Sequence, residues 1–293
     1  MKRYGIPYVG SKKRLAENIV SCFPNGENFL DAMCGGGAVL HCVAESGKFK
    51  HLTGMEKDLQ MSAVLSWVMS GKLAMEPDRS DYLKWVSFDE FHKIKSNVDA
   101  IDGIRTILYS YATNRWDYLY SHDKEPLMKL AHACITENDT DARITALRRL
   151  CPYIEDGAAN QTCRFDVVNR FRRICEVSDR MKRAGDKVDL SIKTGSAFEV
   201  PVEFYDGFDC IYFDPPYKAT RKYRNQPFDY DAFDRLLERL AEAGKTVFVS
   251  ELREPCKGYS VVGRWKLNHS TNRDSPHMVE ELLWKSQGSD ASR

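Results

Sequence analysis

A short apolar run that ends at an acid, two prolines and a tyrosine offers the clearest chemistry in the sequence. Residues 208–217 read Phe-Asp-Cys-Ile-Tyr-Phe-Asp-Pro-Pro-Tyr, which predicts a buried strand that stops at a rigid turn. Because each proline keeps the residue before it out of the helical region, the carboxylate of Asp214 and the carbonyl of Pro215 are held in place. These two acceptors suit an exocyclic amino group, and Tyr217 can stack on the flat ring that carries it.

A second pattern, a strand followed by a glycine turn and a helix, lies near the N-terminus. Residues 28–33 read as a strand, and Cys-Gly-Gly-Gly-Ala at residues 34–38 leads into a helix. Gly35 and Gly37 let the backbone approach a ligand closely, and the N-terminus of the helix favours a carboxylate. The glycine spacing differs from the Gly-x-Gly-x-x-Gly of dinucleotide-binding proteins, which argues against a dehydrogenase.

The elements on either side of this unit complete the predicted N-terminal region. Residues 4–12 contain two glycines, a proline and two tyrosines, and Ser11 is predicted to cap a helix that runs to about Phe23. After the glycine turn, a second predicted strand ends at Glu56. A carboxylate at the end of that strand can bind ribose hydroxyls, and Asp58 is close enough to be a rival for this role.

Composition indicates an ordinary globular protein rather than a membrane or disulfide-stabilised one. The chain has 293 residues, of which 43% are hydrophobic and 29% charged, and a formal net charge of +1. No apolar run is long enough for a membrane span and the N-terminus lacks an apolar signal core, so we expect a cytoplasmic protein. The nine cysteines are scattered without metal-ligand spacing, which favours reduced thiols and predicts no metal site. A balanced net charge does not by itself indicate nucleic-acid binding.

The α/β pattern is interrupted by a long segment that is rich in aromatic residues and arginine. Strand and helix signals alternate in residues 1–58 and 188–286, whereas residues 59–187 read as helices and loops. We therefore predict an α/β catalytic domain made of the two outer parts, with the middle part inserted as a second, mainly helical domain. Residues 287–293 are small and polar and are predicted to form a flexible tail.

Several of these segments resemble one enzyme family. Asp-Pro-Pro-Tyr at residues 214–217 resembles the catalytic motif of amino-group DNA methyltransferases, in the form carried by N6-adenine enzymes. Tyr-Val-Gly-Ser-Lys at residues 8–12 resembles the N-terminal cofactor motif of the Dam-like (D12 class) adenine methyltransferases, and residues 31–37 resemble their first methyltransferase motif. Residues 114–120 and the following residues 124–126 are similar to a segment of small phage-type members. The resemblance implies a Rossmann-like, S-adenosylmethionine-dependent methyltransferase fold with residues 59–187 as an inserted target-recognition domain.

The resemblance also implies roles for individual residues. Asp214 and Pro215 would orient the N6 amino group of adenine and Tyr217 would stack on the base, in a direct displacement that needs no metal. Many members carry an acid near Ser196, which this chain lacks, so Phe198 is the residue expected to pack on the cofactor adenine. S-adenosylmethionine, which leaves as S-adenosylhomocysteine, would contact Tyr8, Lys12, Asp31, Gly35, Gly37, Glu56, Phe198 and Asp214.

Basic residues directly after the Asp-Pro-Pro-Tyr turn are the best placed to bind DNA. Residues 218–224 contain four cations, and a loop there would meet the phosphates that flank a flipped base. A helix predicted over residues 164–184 carries further arginines, which form either a solvated face or a face that follows phosphates. The predicted DNA-binding residues are Lys218, Arg221, Lys222 and Arg224, together with Arg115 from the aromatic-rich part of the insertion.

These features predict a site-specific DNA adenine-N6 methyltransferase that acts on an adenine flipped out of a duplex. Double-stranded DNA is the expected partner, a separate restriction endonuclease is left open, and we expect a monomer or weak dimer in a bacterium or a phage-infected host. Two alternatives stay open: methylation of an RNA adenine or of cytosine N4, and a catalytically idle DNA-binding decoy that keeps the fold. Cofactor binding separates the decoy from an enzyme, because an idle protein need not bind S-adenosylmethionine.

Overall fold

The chain divides into two compact units. The computed structural model describes residues 2–136, 140–155, 166–185, 187–217, 228–269 and 277–287. The first unit consists of residues 1–5, 12–58 and 183–293, and the second of residues 6–11 and 59–182. From the sequence, the inserted domain is predicted to span residues 59–187. Its role in target recognition stays a prediction.

A seven-stranded mixed sheet with strand order 3-2-1-4-5-7-6 forms the centre of the first unit. Strands β1 to β5 run parallel, and β7 pairs antiparallel with both β5 and β6. This order is that of a Rossmann-like α/β sheet extended by an antiparallel pair at one edge. The strands are β1 Asn28–Asp31, β2 His51–Glu56, β3 Asp189–Thr194, β4 Cys210–Phe213, β5 Val247–Ser250, β6 Tyr259–His269 and β7 His277–Ser286.

Three α-helices accompany this sheet in the described part of the first unit, α1 Ala16–Ser21, α2 Ala38–Ser46 and α10 Tyr230–Glu242, together with a 3-10 helix at Val202–Gly207. The prediction that Ser11 caps the first helix is wrong. Only turns precede α1, Leu15 occupies the N-cap position without a side-chain bond, and the buried Ser11 hydroxyl has no hydrogen-bond partner. By contrast, α10 has a side-chain cap, because the side chain of Asp229 accepts the N–H of Ala232 at 2.9 Å.

Side chains that alternate along the central strands fill the core on both faces of the sheet. Phe213 of β4 and Val249 of β5 lie in the core cluster that includes the apolar side of α10. On the opposite face, Phe23 packs against Tyr212 and Phe248, with ring centroids 5.7 and 4.8 Å apart. Burial on both faces explains why these strands are short apolar runs instead of alternating ones.

Helices make up most of the second unit, and no helix among the residues described in the chain is long and apolar enough to cross a membrane. The rings of Trp85 and Tyr120 stack at 5.8 Å, and Tyr109 is fully buried beside them. Tyr111 and Trp116 are exposed. The helices are α3 Leu59–Met69, α4 Lys72–Met75, α5 Phe88–Ile94, α6 Ala100–Leu108, α7 Glu125–Thr136, α8 Thr140–Glu155 and α9 Asp166–Ala184.

The arginine-rich helix α9 packs through an apolar stripe. Phe171 and Ile174 lie on its buried side. Arg170 donates to the backbone carbonyls of Leu108 and Ser110, both at 2.8 Å, and so satisfies acceptors at the C-terminal end of α6. This arginine therefore has a structural role within the second unit, whereas others on the helix, such as the exposed Arg172, face solvent.

Candidate active site

Three acids that the sequence singles out meet at one edge of the sheet. Asp31 is the last residue of β1, Glu56 is the last residue of β2, and Asp214 directly follows β4. Because β1 pairs with both β2 and β4, the three acids come from adjacent parallel strands and lie at the same carboxyl edge. The strand order reverses between β1 and β4, which is where open α/β sheets bind ligands.

Lys12 connects the N-terminal segment to the Asp-Pro-Pro-Tyr turn. Its ammonium nitrogen lies 2.6 Å from Oδ1 of Asp214 and 3.5 Å from Oε1 of Glu281. The lysine side chain is buried, and burial alone would disfavour its charge. The opposing charges of Asp214 and Glu281 outweigh that effect and raise the pKa of Lys12 above its ordinary value. The lysine is therefore a fixed positive charge between two carboxylates.

The tyrosine of the turn is held at its hydroxyl and against its ring. The hydroxyl of Tyr217 donates to the carboxylate of Glu281. The ammonium of Lys12 lies 4.7 Å from the centroid of the Tyr217 ring, in the range of a cation–π interaction. The turn itself is secured by the hydroxyl of Tyr230, which donates to the carbonyl of Pro216 at 2.9 Å. Pro215, between the acid and this carbonyl, is buried.

Asp31 is a buried acid without a hydrogen-bond partner. Its side chain is 1% exposed and neither carboxyl oxygen makes a hydrogen bond. Burial, and secondarily the charge of Asp214, raise the pKa of Asp31 to about 8. The backbones of Met33 and Leu40 lie near enough to favour the ionised form, but outside hydrogen-bond geometry. A buried acid of this kind marks a place where a ligand that carries positive charge or donors would be favourable.

The acid of the catalytic turn also has a shifted pKa. Burial raises the pKa of Asp214 to about 6, although the adjacent charge of Lys12 opposes the increase. Glu56 is held differently, because its Oε1 accepts the backbone N–H of Asp58 at 2.9 Å. Asp58, the predicted rival, thus contributes its backbone to the position of Glu56.

The glycine turn before α2 has the backbone conformation that only glycine adopts readily. Gly35 has φ +48° and Gly37 has φ +66°, both in the left-handed region. Gly5 lies directly against this turn: a Cβ atom added to Gly5 would be 2.6 Å from the carbonyl oxygen of Gly36. Its N–H donates to Nδ1 of His41 at 3.2 Å. Gly5 therefore packs closely against the glycine turn, a role that was not predicted from the sequence.

Two further predicted cofactor residues have ordinary structural surroundings. Phe198 packs edge to face on Phe228 and Phe233, at 5.4 and 6.1 Å, beside the apolar core of the first unit. Tyr8 belongs to the second unit and is half-buried, in a turn where the N–H of Ser11 donates to its carbonyl at 3.3 Å. A cofactor contact of either residue stays a prediction.

The predicted DNA-binding residues are not brought together by the described structure. Lys218, Arg221, Lys222 and Arg224 lie outside the described residues. Arg115 is only 6% exposed, and its guanidinium donates to Oε1 of Gln60 at 3.0 Å within the second unit. This hydrogen bond joins two parts of the second unit, and a contact of Arg115 with DNA stays a prediction.

Glu281 is a site residue that the sequence analysis misses. It lies on β7, next to Glu280, and no motif contains it. Glu281 is 4% exposed and faces Lys12 and Tyr217, whereas Glu280 is exposed and lies 3.4 Å from Arg264. The sequence signal for such a residue is the pair of adjacent acids Glu280 and Glu281 in a mainly apolar strand. Because successive side chains of a strand face opposite sides of the sheet, one of the two acids must point inward.

Comparison with known proteins gives one family match and a set of similar structures. Residues 8–56 match the model of the D12 class N6 adenine-specific DNA methyltransferases. None of the curated proteins matches the chain. Among solved structures, a 1.5 Å structure of the rRNA methyltransferase aviRa from Streptomyces viridochromogenes has a TM-score of 0.39 and 13% identity, over 93% of this chain and 84% of that one. A 2.4 Å structure of the same enzyme has a TM-score of 0.38 and 12% identity, over 92% and 83%.

The sheet order is that of a Rossmann-like α/β fold, as the sequence predicts. The segment that matches the D12 class model contains Lys12, Asp31 and Glu56, which lie in the first unit with Asp214. This match supports a methyltransferase of the DNA adenine type.

Proposed function

We propose that this protein is a DNA adenine-N6 methyltransferase, which transfers a methyl group from S-adenosylmethionine to an adenine flipped out of a specific duplex sequence. The observation that carries the proposal is the 2.6 Å ion pair between Lys12 and Asp214. Lys12 lies in the segment that matches the D12 class model, and Asp214 lies 202 residues later in the Asp-Pro-Pro-Tyr turn. The pair joins the two parts of the chain that independently suggest the same reaction.

The acids at the strand ends suit S-adenosylmethionine, which carries a positive sulfonium and a positive ammonium group. Asp31 has no partner of its own, and its pKa is raised in part by repulsion from Asp214 and Glu56. A cation bound among these acids would remove that repulsion and allow them to ionise. The carboxylate of the same molecule would suit the N-terminus of α2 at Gly37, and Glu56 would accept from the ribose hydroxyls. When bound, S-adenosylmethionine supplies an electrophilic methyl group.

Asp214 and Pro215 act on the nitrogen that receives this group. Their oxygens accept hydrogen bonds from the N6 amino group and direct its lone pair toward the methyl carbon. With the methyl donor bound, the lone pair would form the new carbon–nitrogen bond and the electrons of the carbon–sulfur bond would stay on sulfur. The nitrogen then carries one proton too many. Asp214, whose pKa is about 6, is a base suited to accept that proton near neutral pH.

Tyr217 and the loop after it act on the rest of the substrate. The half-buried ring of Tyr217 offers a fixed face for the purine. Because N6 is paired and stacked in duplex DNA, the adenine must leave the helix before it reaches this face. Lys218, Arg221, Lys222 and Arg224 are proposed to hold the phosphates beside the flipped nucleotide.

Methyl transfer to unmethylated duplex DNA, followed by digestion and mass spectrometry of the nucleosides, tests the proposal. We expect N6-methyladenine from the wild type and a loss of at least about 100-fold in Asp214→Ala. Asp189→Ala removes an exposed carboxylate from the start of β3 and is the matched control. A methylcytosine or methylated RNA product would show that the enzyme has a different substrate. Cofactor binding without any product would indicate an idle DNA-binding protein. An active Asp214→Ala variant would contradict the role assigned to Asp214.

A further inference from the structure

Glu281 is linked to both ends of the proposed active site although no motif contains it. It lies on β7, 64 residues after Tyr217, and its Oε1 accepts the hydroxyl of that tyrosine. The same oxygen lies 3.5 Å from the ammonium of Lys12, which pairs with Asp214. Glu281, Tyr217, Lys12 and Asp214 therefore form one connected cluster.

The strand that carries Glu281 is fixed in the sheet. Leu283 pairs with Ser250 of β5, and the N–H of Glu251 donates to the carbonyl of Leu282 at 3.2 Å. The indole N–H of Trp284 donates to the carbonyl of Glu251 at 3.1 Å. These bonds tie the backbone on the C-terminal side of Glu281 to a central strand, so the carboxylate is a stable reference point.

Tyr217 needs such a reference point because it ends a turn. Its ring can rotate about the Cα–Cβ bond unless other groups hold it, and an angle that suits a stacked purine is only one of several rotamers. The hydroxyl bond to Glu281 fixes the far end of the ring. The ammonium of Lys12, 4.7 Å from the ring centroid, is in turn drawn toward Glu281.

We propose that Glu281 is a positioning residue for methyl transfer, which holds the ring of Tyr217 in the orientation that receives the target base. The inference rests on the proposed function, because it presupposes a base at Tyr217. Glu281 itself need not touch the base or the methyl donor. We assign its effect on the reaction to the bond with the Tyr217 hydroxyl and not to its second contact, with Lys12, and this assignment is testable.

Steady-state methyl transfer to duplex DNA by single and double variants tests this route. We expect Glu281→Ala to lower kcat by about 10- to 100-fold, since a small misplacement of a reacting group has effects of that size. Glu281→Gln keeps an acceptor oxygen for the hydroxyl and should lose less than about tenfold. In a Tyr217→Phe background, the further change from Glu281→Ala should be less than about threefold, because the bond is already absent.

Glu280→Ala, on the exposed face of the same strand, is the control and should behave like the wild type. An unchanged kcat in Glu281→Ala would overturn the inference. So would an equal loss in the presence and absence of the Tyr217 hydroxyl, which would indicate an effect through Lys12 or a general structural effect.

Fluorine NMR of protein labelled with 3-fluorotyrosine provides a readout that does not depend on activity. Tyr217→Phe identifies the resonance of Tyr217 by its disappearance. We expect that resonance to move or broaden in Glu281→Ala, to change less in Glu281→Gln, and to stay in place in Glu280→Ala. A resonance unmoved in Glu281→Ala would refute the contact. If the wild type methylates no nucleic acid, the proposed function fails, while the fluorine spectra still decide whether Glu281 orients Tyr217.

Discussion

Replacement of Asp31 by asparagine should change how the stability of the protein depends on pH. In the unfolded chain Asp31 has the ordinary pKa of 3.8, whereas in the folded protein burial raises its pKa to about 8. Between these two values the folded state binds one proton that the unfolded state does not. Asp31 therefore destabilises the folded state least below about pH 4. The free energy of unfolding then decreases as the pH rises toward about 8.

The size of this effect follows from the two pKa values. Each pH unit between them costs about 1.4 kcal/mol, so the penalty at pH 7 is about 4 kcal/mol. Asp31→Asn has no proton to bind. The free energy of unfolding of the variant minus that of the wild type should increase by roughly 1 kcal/mol per pH unit from pH 5 to pH 8. Any fixed cost of burying the amide shifts this difference by a constant and leaves its slope unchanged.

Urea unfolding of the wild type, Asp31→Asn and Asp189→Asn at pH 5, 6, 7 and 8 measures this slope. Asp189 lies at the start of β3 with its side chain 80% exposed, and its replacement controls for the loss of one negative charge. A difference between Asp31→Asn and the wild type that is constant with pH, or that shrinks as the pH rises, would refute the reasoning. The same variant should bind S-adenosylmethionine more weakly, since a site residue that costs stability is expected to contribute to function.

Three further predictions concern the same unit. Gly5→Ala should destabilise the protein by about 2–4 kcal/mol in thermal unfolding, because the added methyl group meets the backbone of the glycine turn. Gly47 has a similar positive φ but open space around it, so Gly47→Ala should cost only about 1–2 kcal/mol. Glu56→Gln should weaken S-adenosylmethionine binding in calorimetry by about tenfold and Asp58→Asn by much less, and the reverse order would assign the ribose to Asp58. Lys12→Met should move the acidic limb of the pH–rate profile to higher pH, because the charge of Lys12 no longer lowers the pKa of Asp214 against the effect of burial. An acidic limb that stays in place would contradict the ion pair.

The strands and the acids at their ends could be predicted from the sequence because both have local signals. A buried parallel strand is a short apolar run, and the acid, glycine or proline that stops it is the next residue along the chain. Once β1 and β4 are taken as neighbours at the reversal of strand order, Asp31 and Asp214 must lie at the same edge.

Contacts between side chains far apart in sequence could not be predicted in this way. Which of Glu280 and Glu281 faces inward depends on the register of β7 with β5, and a shift of one residue would exchange them. Arg115 shows the same limit, because an arginine among aromatic residues can bind a phosphate or, as here, donate to Gln60. The wrong cap at Ser11 arose because a suitable residue type was present while the backbone formed turns up to Leu15.

The charges of the site explain why Lys12 matters beyond its single ion pair. Burial raises the pKa of both Asp31 and Asp214. The charges of Asp214 and Glu56 add to the effect at Asp31, and the charge of Glu281 adds to it at Asp214. Lys12 touches only two of them, Asp214 and Glu281. It can therefore keep the acid of the turn ionisable near neutral pH, while Asp31 stays without a partner. The arrangement leaves an unmet preference for positive charge at Asp31, at the end of β1. A cationic methyl donor would meet that preference, at the place where the family resemblance implies the cofactor site.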